Sequence, residues 1–215
     1  FLHENLFIRT DILVKTDNVI KVIEVKAKSF DSTMENIFKS KSGNIRQQWR
    51  TYLFDLAFQK YVVKKNYPEY KIESHLMLAD KSKKASIDGL NQLFQITKDP
   101  NVRTGIMRKV DTLEATGDPI MESRNISDLI NDIIEKDIHK IHGLSFLELV
   151  ENFTEVYTNQ KEIDWKNYNG HVCRECWIEQ FDISEDDNLR PNIYELWQFR
   201  KQKKLFKSNV FFLDQ

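Results

Sequence analysis

Glycine is scarce in this chain: 6 occur in 215 residues, and none stands in a Gly-x-Gly or Gly-Lys-Ser/Thr setting. Dinucleotide-binding and phosphate-binding loops need such glycines, because only glycine lets the main chain approach the phosphates closely. The Gly-x-Ser-x-Gly turn of serine hydrolases is also missing, and the five histidines show no His-Glu-x-x-His spacing. The sequence therefore argues against ATP hydrolysis, hydride transfer and serine hydrolysis.

Cysteine is equally scarce, with only Cys173 and Cys176. An iron–sulfur cluster usually needs four thiolates, so these two cannot complete one. Together with His171 they offer three zinc ligands, whereas a structural zinc site normally has four. The favoured alternative is a pair of reduced cysteines in a small hydrophobic element with Trp177. Two cysteines fit a reducing cytoplasm, which is the location we expect.

Long apolar runs are absent too. No run approaches the roughly 20 residues that span a bilayer, and the sequence shows no signal peptide. We therefore expect no membrane partner. With 40% hydrophobic residues, a chain of 215 residues can bury a good core as one domain.

Two short stretches near the start of the chain predict neighbouring strands. Residues 7–15 and 19–26 are rich in Ile, Val, Leu and Phe, and a turn-forming Thr-Asp-Asn cluster separates them. The first stretch carries Asp11 in its middle, and the second carries Glu24 and Lys26. Charges inside core-like strands reduce stability unless they are paired or bound to an ion. The pattern therefore indicates a site.

The geometry of a hairpin predicts which of these charged residues face each other. If Asp17 and Asn18 are the two central residues of the turn, strand residues whose numbers sum to 35 face each other. Asp11 then lies opposite Glu24, and Arg9 lies opposite Lys26, with all four side chains on one face. Opposed residues have Cβ atoms about 4.5–5.5 Å apart, so the two carboxylates repel each other. A shared divalent cation such as Mg²⁺ offsets that repulsion, and Lys26 could then hold or help deprotonate a metal-bound water.

An ordinary surface hairpin is the alternative interpretation. The chain is 30% charged, so an acid followed by Glu-x-Lys also occurs by chance. Asp11 with Lys26 and Glu24 with Arg9 would then form diagonal pairs on a solvated face. A slip of one residue in the turn would place Asp11 and Glu24 on opposite faces and remove the site.

Residues 49–65 predict a helix that is apolar around most of its circumference, which indicates burial on more than one side. Asp55 and Gln59 interrupt that surface four residues apart on one face. This polar stripe either points toward Asp11 and Glu24 or is satisfied by backbone and water. The sequence leaves both interpretations open.

The hairpin and the helix together resemble the PD-(D/E)xK nuclease superfamily. The specific matches are Arg-x-Asp-Ile-Leu at 9–13, Ile-Glu-Val-Lys at 23–26 and Asp-x-Ala-Phe-Gln-x-Tyr at 55–61. Weaker matches follow at 76–82, 89–94, 170–173 and 192–196. Within the superfamily, the chain is most similar to the RecB-like branch and to an uncharacterised bacterial group of exonucleases in it. The resemblance implies a restriction-endonuclease-like core that hydrolyses DNA, as single strands or duplex ends, with Mg²⁺ or Mn²⁺.

The resemblance also implies a role for individual residues. Asp11 and Glu24 would ligate the metal, with the main-chain carbonyl of Val25 as a third ligand. Lys26 would position the attacking water. Gln59 would match the glutamine of the family's third motif and contact the substrate or Lys26. The alternative is a nuclease fold that no longer cuts and serves as a binding or scaffolding module.

Some positions depart from the family pattern. Val63 stands where RecB-like enzymes usually have a tyrosine, and the nearest tyrosine is Tyr61. His3 and Glu4 are the only candidates for the upstream histidine or acid that many members carry. The chain begins at Phe1 and not at a methionine, so we expect it to be part of a longer protein with further domains.

Charge is distributed unevenly along a chain whose net charge is −1. Residues 39–84 hold 11 basic and 4 acidic side chains, whereas residues 111–164 hold 13 acidic and 4 basic ones. This asymmetry allows a basic groove that faces phosphates. Trp49 could stack on single-stranded bases, or it could belong to the core. The candidate nucleic-acid contacts are Arg9, Lys28, Arg46, Trp49, Arg50 and Tyr61.

The order of the predicted elements indicates an α/β fold with a mixed central sheet flanked by helices and with the hairpin at its centre. Further strands are expected at 70–78, 91–96 and 210–213, and further helices at 127–141 and 145–157. Ser145 and Glu148 predict a capping box. We expect a single domain, with a catalytic core (1–98), an acidic, mainly helical insertion (99–165) and a cysteine-bearing C-terminal segment (166–215).

Overall fold

The computed structural model describes residues 1–99, 102–136, 139–141, 143–161, 184, 190–196, 199, 201, 204–205, 208 and 210–214. The chain divides into two compact units. The first comprises Phe1–Lys140 and Ser145–Val150, and the second comprises Ile141–Leu144 and Glu151–Gln215. The elements that carry the candidate site all belong to the first unit.

Four strands precede the first helix, further strands follow it, and two more α-helices come after the last described strand. The strands are β1 (Leu2–His3), β2 (Leu6–Phe7), β3 (Ile12–Thr16), β4 (Val19–Phe30), β5 (Lys71–Asp80), β6 (Phe94–Asp99), β7 (Val102–Arg108) and β8 (Met121–Asn125). The α-helices are α1 (Gln47–Asn66), α2 (Ser127–Glu135) and α3 (Phe146–Asn159). Short 3-10 helices cover Leu90–Leu93, Glu114–Thr116 and Ile193–Glu195. None of the described helices is long and apolar enough to cross a membrane.

The main sheet has the order β3-β4-β5-β8. β3 and β4 form an antiparallel hairpin, β4 and β5 run parallel, and β8 is antiparallel to β5. Parallel neighbours need a long crossover connection, and the segment containing α1 supplies it between β4 and β5. The expected mixed sheet flanked by helices is thus confirmed. The hairpin, however, does not lie at its centre, because β3 is an edge strand.

One face of the sheet and α1 share the core of the first unit. β4 buries Ile20 and Val22, and β5 buries Leu76 and Leu78, at the two-residue spacing that places them on one face. The helix side of this core consists of Trp49, Leu53, Leu56, Ala57, Val62 and Val63. Truncating one such buried leucine to alanine costs about 2–5 kcal/mol. The core therefore holds α1 firmly against β4, which positions the side chains between them.

The two strands of the hairpin differ in burial. All five residues of β3 are exposed, whereas the middle of β4 is buried. β3 has a partner strand on one side only, so its apolar side chains gain little cover. The expectation that both strands are core-like is wrong for β3. The argument that a charge in such a strand needs compensation therefore applies to Glu24 and not to Asp11, which is exposed.

Polar contacts fix where α2 and α3 begin. The Ser74 amide donates to Ser127 Oγ at 2.9 Å, and Ser127 Oγ donates to Asn125 Oδ1 at 2.7 Å, which ties α2 to β5 and β8. At α3 the Ser145 amide donates to Glu148 Oε2 at 2.7 Å, and the Glu148 amide donates to Ser145 Oγ at 3.3 Å. These two bonds confirm the predicted capping box.

The structure confirms some of the helices and strands predicted from the sequence and not others. The strand expected at 70–78 is confirmed as β5, and the helix expected at 49–65 is confirmed as α1. The insertion expected to be mainly helical also contains β7 and β8. β8 is Met-Glu-Ser-Arg-Asn, which is too polar to give an alternating apolar signal. Within 210–213 the described residues show an isolated bridge from Phe212 to Asn192 and no strand.

Candidate active site

The register of the β3–β4 hairpin matches the one predicted from the sequence. Ile12 pairs with Ile23 and Thr16 pairs with Val19, so paired residue numbers sum to 35. Asp17 takes the positive φ of 50° that a tight turn needs. The ladder ends at the pair of Ile12 and Ile23, so neither Arg9 nor Asp11 takes part in it, and the predicted pairing of Asp11 with Glu24 lies one residue beyond the ladder.

Asp11 bonds directly to the neighbouring strand. The Val25 amide donates a hydrogen bond of 2.8 Å to Asp11 Oδ2. This bond places the Asp11 carboxylate against the main chain that follows Glu24. Asp11, which directly precedes β3, is exposed, whereas Glu24 on β4 is buried.

Glu24 is buried, with 5% of its surface exposed, and both of its carboxylate oxygens have partners. Oε1 contacts the Lys26 ammonium, and Oε2 accepts a hydrogen bond of 2.7 Å from Gln59 Nε2. A buried carboxylate would otherwise be strongly destabilising. Lys26 and Gln59 thus explain how the core tolerates this charge between the sheet and α1.

Lys26 joins the sheet to α1 through a second carboxylate. Its Nζ lies 3.1 Å from Asp55 Oδ2 while it also contacts Glu24. Partial burial lowers the pKa of the Lys26 ammonium, but its bonds to Glu24 and Asp55 outweigh that effect and raise the pKa above its usual value. The Tyr52 ring lies 5.6 Å from the same ammonium.

Gln59 links the two acids of this cluster. Its Nε2 donates to Glu24 and also lies 3.4 Å from Asp55 Oδ1. Gln59 is 4% exposed, and its Oε1 has no hydrogen-bond partner among the described residues. Of the two interpretations of the polar stripe on α1, the structure supports the one in which it points toward Glu24. We refer to Glu24, Lys26, Asp55 and Gln59 as the four-residue cluster.

The site offers oxygen ligands of the kind that hard cations take. Asp11, Glu24 and the Val25 carbonyl are the candidates, because Asp11 bonds to the amide of Val25, the residue next to Glu24. No group of three or more His, Cys, Asp or Glu side chains suited to a metal is found among the described residues. Mg²⁺ is often held by one or two carboxylates and keeps several waters. Two carboxylates and a carbonyl therefore fit Mg²⁺ or Mn²⁺ better than a metal that needs a full protein cage.

The aromatic residue proposed for base stacking lies in the core. Trp49 is 2% exposed and packs edge-on against Phe38 and Tyr52. The Lys28 ammonium lies 4.7 Å from the centre of the Trp49 ring and donates to the Gln48 carbonyl at 2.7 Å. With no exposed ring face, Trp49 fits the core interpretation, whereas Lys28 remains on the surface beside the cluster.

The other proposed nucleic-acid contacts do not gather at one place. Arg46 Nε donates to the Lys39 carbonyl at 3.0 Å, and an Arg50 Nη donates to the Lys140 carbonyl at 2.6 Å. Both guanidinium groups thus form hydrogen bonds to main-chain carbonyls. Tyr61 packs against Phe146, and Arg9 is exposed. His171, Cys173 and Cys176 lie outside the described residues.

Sequence reasoning missed a buried carboxylate at the end of β5. Asp80 is 2% exposed, and its Oδ1 accepts hydrogen bonds from the Ser32 amide and from the amide and hydroxyl of Ser82 at 2.8–3.2 Å. Burial raises the pKa of Asp80, but these bonds outweigh it and hold the pKa well below the usual range. Asp-x-Ser after a strand was the available signal, because such a carboxylate often bonds to the following turn.

Comparison of the chain with models of known protein families gives no match, and comparisons with curated proteins and with solved structures give none either. The resemblance to nucleases therefore depends on the residues themselves and on their arrangement.

Proposed function

We propose that this chain is a Mg²⁺- or Mn²⁺-dependent nuclease that hydrolyses phosphodiester bonds of DNA, acting as an exonuclease in a reducing cytoplasm. The single observation that carries the proposal is the hydrogen bond from Gln59 to Glu24. It joins residues 35 positions apart, and it brings together the glutamine and the acid that the nuclease resemblance pairs in one site.

The proposed roles follow from the contacts of each group. Asp11 and Glu24 bind the cation together with the Val25 carbonyl. A divalent cation in such a site lowers the pKa of bound water and offsets the charge that develops on the scissile phosphate. Gln59 holds Glu24 in place through Nε2, and its buried Oε1 has no partner among the described residues.

Lys26 acts by charge and by hydrogen-bond donation. An ammonium group has three donors and no acceptor, and two of its partners are Glu24 and Asp55. The third donor is available for the attacking water or for a phosphate oxygen. Positioning is therefore the role that this geometry supports, and not abstraction of a proton from water.

DNA is the proposed substrate because Lys28, beside the cluster, offers a contact for a phosphate group. Lys28 lies two residues beyond Lys26 on β4, in a partly exposed position. The net charge of −1 argues against binding over the whole surface, so phosphates should contact local basic regions.

The test is calorimetric titration with Mn²⁺ of the unmodified chain and of the near-isosteric variants Asp11→Asn and Glu24→Gln. Asp17→Asn is the matched control, because Asp17 belongs to the same hairpin but lies in its turn. We expect binding by the unmodified chain and the control and at least a tenfold loss in the two site variants. The same four proteins are then assayed on labelled single-stranded and duplex DNA.

Failure of the unmodified chain to bind Mn²⁺ would contradict the proposal. The chain would then fit the alternative, a nuclease-fold module that binds or scaffolds without cutting. Mn²⁺ binding that is retained in Asp11→Asn and Glu24→Gln would mean that the metal binds elsewhere, and this result would also contradict the proposal.

A further inference from the structure

A groove with several basic side chains lies in the first unit, apart from the four-residue cluster. It has a volume of about 1060 Å³ and lies between α1, α2 and the start of β5. None of the four cluster residues lines it. The basic side chains that line it are Lys39, Lys60, Lys64, Lys65, Lys71 and Arg124.

Half of these cations are paired with carboxylates. Lys71 bonds to Glu73 at 2.8 Å, Lys39 lies 3.3 Å from Asp132, and Arg124 bonds to Glu122 at 2.7 Å. In the described part of the chain, the other three cations, Lys60, Lys64 and Lys65, have no carboxylate within 4.0 Å. The unpaired positive charge of the groove therefore comes from α1.

Lys60 is the most buried of these three lysines. Its ammonium donates to the neutral Asn131 Oδ1, and burial lowers its pKa, with Lys64 and Lys71 adding to that effect. The acids Asp128 and Glu135 on α2 act in the opposite direction. A partly buried ammonium whose hydrogen-bond partner is a neutral amide is costly, and a bound anion would stabilise it.

Lys64 and Lys65 extend the same surface toward the end of α1. Lys64 donates to the carbonyls of Pro68 and Tyr70, each at 2.8 Å. The Lys65 ammonium lies 5.4 Å from the centre of the Tyr61 ring. Lys60 and Lys64 are four residues apart and share a helix face, whereas Lys65 lies about 100° around the helix from Lys64. The three ammonium groups contact Asn131, the carbonyls that follow α1 and the Tyr61 ring, so they are spread over the groove and do not converge on one point.

We propose that this groove binds the phosphodiester backbone of a single nucleic-acid strand, as a second contact surface for the same substrate. The inference relies on the proposed function for the identity of that substrate. Three lysines with separate positions in one groove can each contact a different phosphate of a strand, whereas one small anion would need the charges to converge. The acids Glu35, Glu73, Asp128 and Glu135 also line the groove. Because these acids repel phosphates, we expect the strand to lie along the α1 side, where the three lysines are.

The experiment measures binding of a fluorescein-labelled 20-nucleotide dT strand by anisotropy, in EDTA and at several KCl concentrations. EDTA removes divalent cations, so the result does not depend on metal binding or cleavage. The variant is Lys64→Gln/Lys65→Gln. The charge-matched control is Lys84→Gln/Lys109→Gln, because both lysines are exposed and lie outside the groove.

Each phosphate contact with a single strand contributes about 0.7 to the slope of log affinity against log salt. Loss of two contacts should reduce the slope by about 1.4 and weaken binding about tenfold at low salt, while the control keeps the slope of the unmodified chain. Lys65→Gln alone should reduce the slope by about 0.7. This single variant matters because Lys64 also bonds to main-chain carbonyls and its loss could disturb the fold.

Equal slopes in the groove variant and the control would overturn the proposal, and so would failure of the unmodified chain to bind the strand in EDTA. Binding of the mononucleotide dTMP that is lost in the groove variant, with an unchanged slope for the 20-nucleotide strand, would also overturn it. The groove would then be a site for a small anion. A chain that binds the strand but not Mn²⁺ would retain this inference and lose the proposed function.

Discussion

Lys26 Nζ lies 3.1 Å from Asp55 Oδ2, and on its other side it contacts Glu24 Oε1. The two carboxylates differ in environment, because the side chain of Asp55 is 41% exposed and that of Glu24 is 6% exposed. Solvent screens the first ion pair but reaches the second poorly. One ammonium thus takes part in a weak pair and a strong pair.

Double-mutant cycles should separate these two interactions. For Lys26→Met combined with Asp55→Asn, we expect a coupling free energy below about 1 kcal/mol, as is usual for exposed pairs. For Lys26→Met combined with Glu24→Gln, we expect about 1.5–3 kcal/mol, as for a hydrogen bond to a charged group. Urea denaturation of the six proteins measures both. Equal couplings would contradict the assignment of Glu24 as the main partner of Lys26.

Gln59→Glu should be strongly destabilising, because it places a carboxylate against the buried Glu24 where an amide now donates at 2.7 Å. We expect a loss of at least about 3 kcal/mol in the free energy of unfolding at pH 7. Gln47→Glu is the matched control, since Gln47 is an exposed residue at the start of the same helix. Its new charge lies near a helix N-terminus, so its effect should be within about 0.5 kcal/mol. Similar losses in both variants would mean that Gln59 does not contact Glu24 as described.

The sequence predicted the hairpin register because that register follows from the turn. Once Asp17 and Asn18 occupy the turn, every pair up to Ile12 and Ile23 is determined. The capping box at Ser145 and Glu148 was equally predictable, because both partners lie within one turn of the chain. Local geometry could therefore be worked out by counting residues.

Burial was harder to predict than local geometry. Residues 12–14 are as apolar as those of β4, yet β3 is exposed because it lies at the edge of the sheet. The strand order depends on contacts between distant segments, and no short pattern reports it. Trp49 is a similar case: its neighbours Arg46 and Arg50 suggested a nucleic-acid surface, but packing against Phe38 buries it.

Trp49 provides a test of that distinction. Trp49→Ala should lower the free energy of unfolding by about 3–5 kcal/mol, because it removes a buried aromatic ring. Trp49→Phe should keep most of the stability and should leave the affinity for single-stranded DNA within about twofold. Denaturation and anisotropy measure the two effects. If Trp49→Phe folds normally but loses strand binding tenfold or more, Trp49 contacts bases and the core interpretation is wrong.

Asp80 should make the protein sensitive to acid. Its carboxylate receives three hydrogen bonds from Ser32 and Ser82, which connect the ends of β4 and β5. Because the folded-state pKa is depressed, the stabilisation is fully present above the pKa of an ordinary aspartate, which is 3.8. It is lost as the pH falls below that value and Asp80 becomes protonated in the folded state.

Asp80→Asn should therefore lower the free energy of unfolding at pH 7 by about 1–3 kcal/mol. The asparagine amide presents either a neutral, weaker acceptor oxygen or an NH₂ donor to the Ser32 and Ser82 amides. The difference between the variant and the unmodified chain should shrink as the pH falls from about 4 toward 2. Asp88→Asn, at an exposed position, is the matched control and should show no such pH-dependent difference. Urea denaturation across this pH range measures the difference. A constant difference would show that Asp80 stabilises the strand ends by its shape and not by its charge.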